Sequence, residues 1–474
     1  MNRLLSRFSS RYTRSLVYML QASEYNVRDF LKWCVRTRDF RQVEIRKAIV
    51  WSQKARLLYT IGWCVSAAFI LEALLNFFLT VWWLAAIGAI ALMIMNAFVL
   101  PYALSLAVFL GQLVQRPLER TRVATAQKKL RAHSGLRVAI AGSYGKTSMR
   151  EILKTVLSAG KKAAAAPGSY NTPLGIATFI DTLGGDEEVL IFELGEYYPG
   201  DVKKLCEFVE PEWGIITGVN EAHLEKFGSL ERTAATIFEL SEYLDGKPLY
   251  VNEENDVSKV HAPQEAIAYS RERVGEWRIE NARTDLSGTK FTMRNGAIVV
   301  SVSSKLLGMH MIGPLAAAVH MGLALGLTVA QVEEGASRTC AFEHRLEPKT
   351  DGSGVVTLDD SYNGNPDGVA AVIDFLASLQ GRRFYVTPGL VEMGPRTEEV
   401  HRTIGTRLAA AHIEQVVLIR NSVTPFIEKG LTDAGYSGVV TWFDHALLAY
   451  AALPHMTVSG DVVLLQNDWP DQYC

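Results

Sequence analysis

The stretch "LRVAIAGSYGKTSMREILKTVL" (Leu136–Leu157) decides how most of this chain folds. It reads as a β-branched strand, a glycine-rich turn and an amphipathic helix, which is the context of a phosphate-binding loop. In such a loop, backbone N–H groups of the turn and of the helix N-terminus bind phosphate oxygens. Ile140 stands where the pattern GxxxxGK[ST] requires its first glycine, so a chance GxxGKT is the alternative. The stretch predicts an α/β nucleotide-binding domain and leaves the reaction open.

The polar groups of this turn have expected roles. Lys146 brings a positive charge to the β- and γ-phosphates, and the hydroxyl of Thr147 can bind Mg²⁺. The turn therefore predicts a bound nucleotide and Mg²⁺, and the resemblance described below implies that the nucleotide is ATP. The residues assigned to nucleotide binding in the turn are Gly142, Ser143, Gly145, Lys146, Thr147 and Ser148.

Two further segments end in side chains that suit this chemistry. "VLIFELGEYYPGD" (Val189–Asp201) reads as a buried strand that reaches Glu193, and "WGIITGVNEAHLEKFGS" (Trp213–Ser229) as a strand that runs into His223. Ligands of an open α/β sheet bind at the carboxyl ends of its parallel strands. Taken alone, an ordinary ion pair at Glu193 and an ordinary surface histidine at His223 are equally open. The stretch Ala166–Ile180 is read as a loop.

The remainder of the chain also alternates strands and helices. Residues 343–474 predict a second, Rossmann-like open sheet. The β-rich stretch from Tyr250 to Val302 is expected to interrupt the first α/β core as an insert.

A long apolar run precedes these domains. From Leu57 to Gln115, Glu72 is the one formal charge in 59 residues. A helix needs roughly 20 apolar residues to cross a bilayer, so the run suits two transmembrane helices with a turn near Asn76–Trp83. Pro101 is expected to bend or end the second helix. A buried hairpin in a soluble domain is the alternative, although soluble helices usually show a polar face.

Basic residues flank the apolar run on both sides. Residues 1–57 carry 13 Lys and Arg against 4 Asp and Glu, and residues 115–132 carry six against one. This pattern predicts a multi-pass protein of the inner (cytoplasmic) membrane, with the N-terminus and the catalytic domains in the cytoplasm. The basic residues of the first 57, which are interleaved with Phe30, Trp33, Phe40 and Trp51, are expected either to lie against anionic lipid or to form a solvated helix face.

The overall composition excludes other classes. With 48 Lys and Arg against 50 Asp and Glu, the chain has no global nucleic-acid signature. Its five cysteines are an odd number with no CxxC pair, which argues against a disulfide framework or a zinc site.

Several motifs, in this order, resemble the Mur ligase family and, within it, the MurF type. They are "GSYGKTS", "PGSYNTPLG", "FELGEYYPGD", "NEAHLEKFGS", "EHRLE" and "DDSYNGNPDG". The resemblance implies a central ATP-binding domain at residues 137–342 and a C-terminal Rossmann-like domain at residues 343–474. A basic amphipathic segment (1–57), transmembrane helices (58–115) and a basic linker (116–136) would precede them.

Members of this family use ATP to join a carboxylate to an amine, commonly in cell-wall peptides. The carboxylate takes the γ-phosphoryl group, and the amine then displaces phosphate. The resemblance implies catalytic roles for Lys146, Glu193 and His223. Thr147 and Glu193 would hold Mg²⁺, and His223 would contact a second metal ion.

The resemblance also implies further nucleotide contacts. Asn220 lies where the family contacts adenine, and Asn171 lies near the γ-phosphate. From the hinge and the C-terminal domain, the residues that would bind the nucleotide are Arg345, Asp360 and Asn363.

Two departures from the family affect the predicted chemistry. Ile237 aligns with the lysine that bridges the metal ions, so either Glu239 or another acid replaces it or the second metal ion is held differently. Membrane helices stand where the MurF type holds a UDP-sugar. We therefore expect the partners to be the lipid bilayer, a membrane-borne or lipid-linked carboxylate acceptor, and an amino acid or peptide amine, with no nucleic acid. A poly-γ-glutamate-synthase-like ligase, a non-catalytic scaffold and a membrane-linked NTPase are the alternatives.

Overall fold

The computed structural model describes residues 2–44, 48–168, 170–220, 227–350, 352–362, 364–391 and 393–467. They divide into a helical unit up to Thr121 and an α/β unit from Arg122 onward. The helices that begin in the helical unit are α1 (Asn2–Ser6), α2 (Tyr12–Ala22), α3 (Val27–Arg36), α4 (Gln53–Leu79) and α5 (Trp82–Arg131).

The N-terminal helices bury their aromatic residues against one another. Phe30 and Phe40 are fully buried and Trp33 is nearly so, and Leu16 belongs to the same apolar cluster. These three rings therefore belong to a protein core, and contact of the basic residues between them with lipid stays a prediction. Trp51, by contrast, is exposed.

Helices α4 and α5 are long and apolar enough to cross a membrane, judged by length and composition alone. The turn between them falls where the sequence predicts it, from Thr80 to Val81. Large apolar side chains beside this turn are exposed, among them Phe78, Leu79 and Trp82.

Pro101 lies inside α5 and does not end it. Proline has no N–H to donate to the carbonyl four residues earlier, which here belongs to Ala97. The Ala97 oxygen instead accepts hydrogen bonds from the hydroxyl of Tyr12 at 2.8 Å and from Nη1 of Arg7 at 3.1 Å. These two donors replace the missing N–H, and the helix continues to Arg131, through most of the segment read as a basic linker.

The first sheet of the α/β unit has ten strands: β1 (Leu136–Ala141), β2 (Ala163–Ala165), β3 (Val189–Glu193), β4 (Trp213–Ile216), β5 (Leu249–Asn252), β6 (Ile267–Tyr269), β7 (Arg273–Val274), β8 (Trp277–Asp285), β9 (Gly288–Asn295) and β10 (Ile298–Ser304). Their order is β10-β9-β8-β7-β6-β5-β4-β1-β3-β2. Along this order, neighbouring strands from β6 across to β2 are parallel, and neighbouring strands from β10 across to β6 are antiparallel. The β-rich stretch after Tyr250 therefore extends this sheet, and the expectation of an insert that interrupts it is wrong.

Two apolar clusters cover the faces of this sheet. The helices of this part are α6 (Lys146–Leu157), α7 (Pro173–Asp181), α8 (Asp201–Val209), α9 (Leu230–Leu244), α10 (Asp256–His261), α11 (Ile312–Ala324) and α12 (Val329–Ser337). Helix α7 begins with Pro173 in its first turn, and the side chain of Thr172 caps it by accepting from Gly175 N–H. The reading of Ala166–Ile180 as a loop is therefore wrong beyond Thr172.

A second, six-stranded sheet follows: β11 (Glu347–Thr350), β12 (Val356–Asp360), β13 (Arg383–Thr387), β14 (Gln415–Ile419), β15 (Val439–Phe443) and β16 (Val462–Gln466). Its order is β11-β12-β16-β13-β14-β15, with β11 antiparallel and the others parallel. Its helices are α13 (Pro366–Ser378), α14 (Thr397–Ala410), α15 (Thr424–Asp433) and α16 (Ala446–Met456). Between β12 and α13, Asn365 caps the helix by accepting from Gly368 N–H at 3.0 Å.

Helix α9 carries Ile237, which stands where the family has its metal-bridging lysine, and Glu239, the suggested replacement. Ile237 is fully buried in one of the apolar clusters on the first sheet. The carboxylate of Glu239 accepts backbone N–H bonds from Gly200 at 2.9 Å and Lys203 at 2.8 Å, at the start of α8. Because both oxygens of Glu239 stabilise a helix N-terminus, the expectation that Glu239 replaces the metal-bridging lysine is wrong.

The burial of Ile237 predicts the effect of restoring a lysine there. We expect Ile237→Lys to lower the free energy of unfolding by about 4 kcal/mol, because an unpaired charge would be buried. The matched variant Ile237→Val should cost only about 1 kcal/mol. Urea unfolding of the full chain in detergent, followed by circular dichroism, measures both. A lysine variant as stable as the valine variant would show that this side chain does not belong to the core.

Candidate functional site

The turn between β1 and α6 has a backbone that requires glycine at two positions. Gly142 has φ +146° and Gly145 has φ +75°, conformations that residues with a Cβ rarely adopt. A Cβ at Gly142 would also collide with the hydroxyl of Thr217. The N–H of Ser143 donates to the carbonyl of Gly218 at 2.8 Å, which fixes the turn against the chain that leaves β4.

Lys146, the first residue of α6, lies in a buried ion pair. Its Nζ is 2.9 Å and 2.8 Å from the two carboxylate oxygens of Glu196, and it also donates to the carbonyl of Gly142. The Glu196 side chain is 4% exposed and that of Lys146 is 11% exposed. Sequence reasoning missed Glu196, although it is an acid three residues after Glu193 in a stretch already singled out.

Glu193, the last residue of β3, lies beside the next residue of the helix. The hydroxyl of Thr147 donates to its carboxylate at 3.1 Å, and Nη1 of Arg150 donates to the same oxygen at 3.2 Å. Arg150 is buried, also pairs with Glu151 at 2.6 Å and donates to the carbonyl of Gly168. Arg150 is a second residue that sequence reasoning missed, because a single arginine between the apolar residues Met149 and Ile152 does not indicate a buried ion pair.

The oxygen donors of Thr147 and Glu193 suit Mg²⁺. This ion prefers hard oxygen ligands and is commonly held by one or two carboxylates together with the phosphates of its substrate. Within the described ranges, no group of three or more His, Cys, Asp or Glu side chains is placed to hold a metal ion. His223, the predicted ligand of a second metal ion, lies outside the described residues.

Two asparagines predicted to contact the nucleotide flank this turn. The backbone carbonyl of Asn171 accepts from Gly195 N–H at 2.9 Å, so the chain before α7 closes over the end of β3. Asn220 is buried, and its carbonyl accepts from the hydroxyl of Ser143 at 3.4 Å. Ser148 is half-buried in the first turn of α6.

Arg345, in the hinge segment just before β11, lies near Asp360, the last residue of β12. The Arg345 guanidinium lies over the ring of Tyr362, 4.3 Å from its centroid. Burial lowers the pKa of Arg345, against the opposing charges of Asp360, Tyr362 and Glu193. Burial raises the pKa of Asp360 to about 6, although Arg345 and the N–H of Leu346, which donates at 3.1 Å, favour its charged form.

A further carboxylate, Asp367, connects the first turn of α13 to the nucleotide turn. Asn220 and Tyr144 lie near enough to this carboxyl to favour its charged form, and burial raises the pKa of Asp367 against their effect. The carboxyl ends of the two sheets therefore meet at one place. Asn363, the remaining predicted contact, lies outside the described residues.

The structure thus gathers most of the predicted site residues around the start of α6. Thr147 contacts Glu193, and Lys146 contacts Glu196 in the chain that follows β3. The backbone carbonyls of Asn171 and Asn220 accept hydrogen bonds from Gly195 and Ser143 beside them. Arg345, in the segment that precedes β11, is close enough to Glu193 for this carboxylate to raise the Arg345 pKa.

Two family models match the chain. One is the Mur ligase middle domain, over residues 140–322, and the other is the Mur ligase glutamate ligase domain, over residues 344–466.

Curated relatives share the same region. The UDP-N-acetylmuramoyl-tripeptide–D-alanyl-D-alanine ligase of Escherichia coli is 27% identical over 296 residues, covering 60% of this chain and 64% of the relative. The ligase of the same name from Borreliella burgdorferi is 30% identical over 295 residues, covering 60% and 62%. The chain spans slightly less than two thirds of the length of these relatives.

Solved structures show the same fold. The MurF ligase of Thermotoga maritima in complex with ADP superposes with a TM-score of 0.65 at 23% identity, covering 75% of this chain and 81% of that one. MurF of Acinetobacter baumannii gives a TM-score of 0.64 at 19% identity, covering 75% and 78%.

The raised pKa of Asp360 predicts a pH dependence of nucleotide binding. As the pH falls through about 6, Asp360 takes up a proton and Arg345 loses its charged partner. We expect the affinity for Mg·ADP to fall below pH 6, and this inflection to be absent in Asp360→Asn. Titration by calorimetry between pH 5 and pH 8, a window that spans the raised Asp360 pKa of about 6, measures both.

Protonation of Asp360 does not unfold the protein in this window, so it would not weaken binding in that way. A carboxyl whose pKa is higher in the folded than in the unfolded protein stabilises the fold more as the pH falls from about 6 towards 3.8. An unchanged affinity across this window would contradict a role of the Asp360 charge in binding.

Proposed function

Because the chain belongs to the Mur ligase family, we propose that it is an ATP-dependent ligase that joins a carboxylate to an amine in cell-wall peptide synthesis. The observation that carries this proposal is the convergence of the Lys146 turn, Glu193 and the Arg345–Asp360 pair at the carboxyl ends of two sheets. A polyphosphate needs several positive groups and backbone N–H donors fixed in advance. The contact between Asp367 and Tyr144 supports closure of the C-terminal domain over the turn.

Each group has a role in this reaction. The N–H groups from Gly142 to Ser148 and the ammonium of Lys146 hold the phosphates, and Arg345 adds positive charge from the hinge. Thr147 and Glu193 would hold Mg²⁺, which supplies positive charge to the phosphate oxygens when bound. An oxygen of the carboxylate substrate attacks the γ-phosphorus and ADP leaves. The amine nitrogen then attacks the acyl carbon and inorganic phosphate leaves.

Exclusion of water is the second requirement. An acyl phosphate that meets water before the amine is lost to hydrolysis, so the site must close before transfer. Asp367 lies close enough to Tyr144 and Asn220 for both side chains to affect its pKa, so α13 approaches the nucleotide turn, which favours this closed arrangement.

We further propose that α4 and α5 anchor the protein in the cytoplasmic membrane with both flanks in the cytoplasm. Their apolar surfaces are exposed, and neither family model covers them. The curated relatives are named for a UDP-linked tripeptide and a D-alanyl-D-alanine dipeptide. For this chain we propose a membrane-borne carboxylate acceptor, and an amino acid or peptide as the amine.

Lys146→Ala should abolish nucleotide turnover. A charge-assisted phosphate contact in a buried site contributes several kcal/mol, so we expect a loss of at least about 100-fold in phosphate release. Lys154→Ala, on the same helix, is the matched control and should keep wild-type rates. Comparable turnover in the two variants would remove the assignment of the turn to phosphate binding.

The ligase proposal predicts that phosphate release depends on two co-substrates. Full-length protein with Mg·ATP should release phosphate only when a membrane lipid extract and a suitable amine are both present. Release in water alone would indicate an NTPase, and ATP binding without release under any combination would indicate a scaffold. A panel of amino acids and dipeptides identifies the amine.

Removal of residues 1–115 tests the proposed anchor. We expect the full chain to remain in the membrane pellet after alkaline carbonate extraction, and the truncated chain to be found in the supernatant and to bind Mg·ADP. A full chain released by carbonate would contradict a membrane-spanning anchor.

A further inference from the structure

Helices α4 and α5 extend as a two-helix hairpin beyond the place where α2 packs against them. Gly62 of α4 lies so close to Thr13 of α2 that a Cβ would collide with the threonine side chain. Ala97 of α5 accepts a hydrogen bond from Tyr12 of α2. From there to the turn, residues 63–79 of α4 span about 25 Å, and the hydrocarbon core of a bilayer is about 30 Å thick. With the proposed anchor, this part of the hairpin lies within the bilayer.

Glu72 lies near the middle of this segment and faces outward. Along the helix it is about 15 Å from Gly62 and about 12 Å from the turn at Thr80. Glu72 is exposed. It is also the one formal charge between Leu57 and Gln115, so the hairpin contains no cation to pair with it. Ionisable groups at such a depth are costly and normally face a protein partner rather than lipid.

The hydrogen bonds of the hairpin leave the Glu72 carboxyl incompletely paired. Asn96 donates to Ser66 at 3.3 Å, so these two polar groups are paired across the hairpin. The amide of Asn76 donates to the backbone carbonyl of Glu72 at 3.1 Å and lies 3.4 Å from its carboxyl, beyond the usual N–H···O range. Because a polar group without hydrogen bonds is unfavourable in hydrocarbon, this carboxyl needs a partner from outside the hairpin.

The surface around Glu72 allows another helix to approach closely. Cys64, Ala68, Glu72 and Asn76 follow one another at a spacing of four residues, which forms one ridge of α4. The first three are exposed and Asn76 is half-buried. In membranes, small residues let helices approach closely, and polar side chains hold them by hydrogen bonds across the interface. This ridge has small residues at its first two positions and polar residues at its last two.

We propose that this ridge joins two copies of the chain through their α4 helices within the bilayer. Both copies enter from the cytoplasm, so a twofold axis along the membrane normal places identical residues at the same depth. The amide of Asn76 has two N–H groups, and the carboxyl of Glu72 has two oxygens. Each copy therefore offers the other both a donor and an acceptor, and the ridge is self-complementary without a cation. This inference rests on the proposed membrane anchor and is independent of the ligase reaction.

Sedimentation equilibrium of the full chain in density-matched detergent tests this contact. We expect wild-type protein to be a dimer, and Glu72→Leu to raise its dissociation constant at least about tenfold, because hydrogen bonds between the helices are lost from both copies. Glu72→Gln keeps a donor and an acceptor and should remain close to wild type. Ile90→Ala, at an exposed position of α5, is the control and should leave the dissociation constant unchanged.

Cys64 lies on the same ridge and reports where the two copies meet. Cys340 is also an exposed thiol, so this experiment uses full chains in which Cys340 and Cys474 are replaced by serine. A short bismaleimide added to membrane vesicles should link two copies through Cys64. The link should disappear in Cys64→Ser and weaken in Glu72→Leu.

The outcomes distinguish this inference from the proposals on which it rests. Wild-type protein that is monomeric in detergent and not cross-linked in vesicles overturns the inference and leaves the anchor and the ligase reaction intact. A dimer with an unchanged dissociation constant in Glu72→Leu, or without the link through Cys64, overturns the role of the ridge. Release of the full chain by alkaline carbonate overturns the anchor and this inference together.

Discussion

Opposite charges buried where β3 meets the start of α6 are the constraint on which the rest of the α/β unit depends. Lys146 pairs with Glu196 and Arg150 with Glu193, and each pair joins the first turns of the helix to the strand end or the chain that follows it. Charges of this kind are tolerated inside a protein only when they are paired. The arrangement fixes the strand, the turn and the helix in one geometry.

The second sheet completes this place from the opposite side. Asp360 follows directly from β12, and its carboxyl, with a pKa raised by burial, faces Arg345 and the hinge. Asp367 begins α13 and reaches Tyr144 in the nucleotide turn. Both contacts bring carboxyl ends of parallel strands to a shared cleft, which is where open α/β sheets bind ligands. A reaction that passes through a water-sensitive acyl phosphate benefits from such closure.

In the helical unit the main constraint is a backbone carbonyl that needs a hydrogen-bond donor. A proline in the middle of a long helix leaves one carbonyl without its partner, and in α5 that carbonyl receives the Tyr12 hydroxyl and the Arg7 guanidinium. The N-terminal helices thus do more than precede an apolar hairpin, because they satisfy a backbone group that Pro101 exposes. Their aromatic residues are buried because they pack in one apolar core with Leu100 and Leu104 of α5.

The sequence by itself determined the α/β class, the glycine turn between β1 and α6, the two long apolar helices and the two Mur ligase domains. Glycines with special φ, strand–turn–helix order and long uncharged runs are local signals. It also placed Glu193 at the end of a buried strand. The tertiary structure alone decided which charges face each other. Glu196, Arg150 and Asp367 could not be assigned in advance, and Glu239 was assigned wrongly, because an ion pair or a helix cap depends on partners that are distant in sequence. Pro101 and the β-rich stretch show the same limit, since a missing hydrogen bond or an open sheet edge is completed by residues that only the fold brings near.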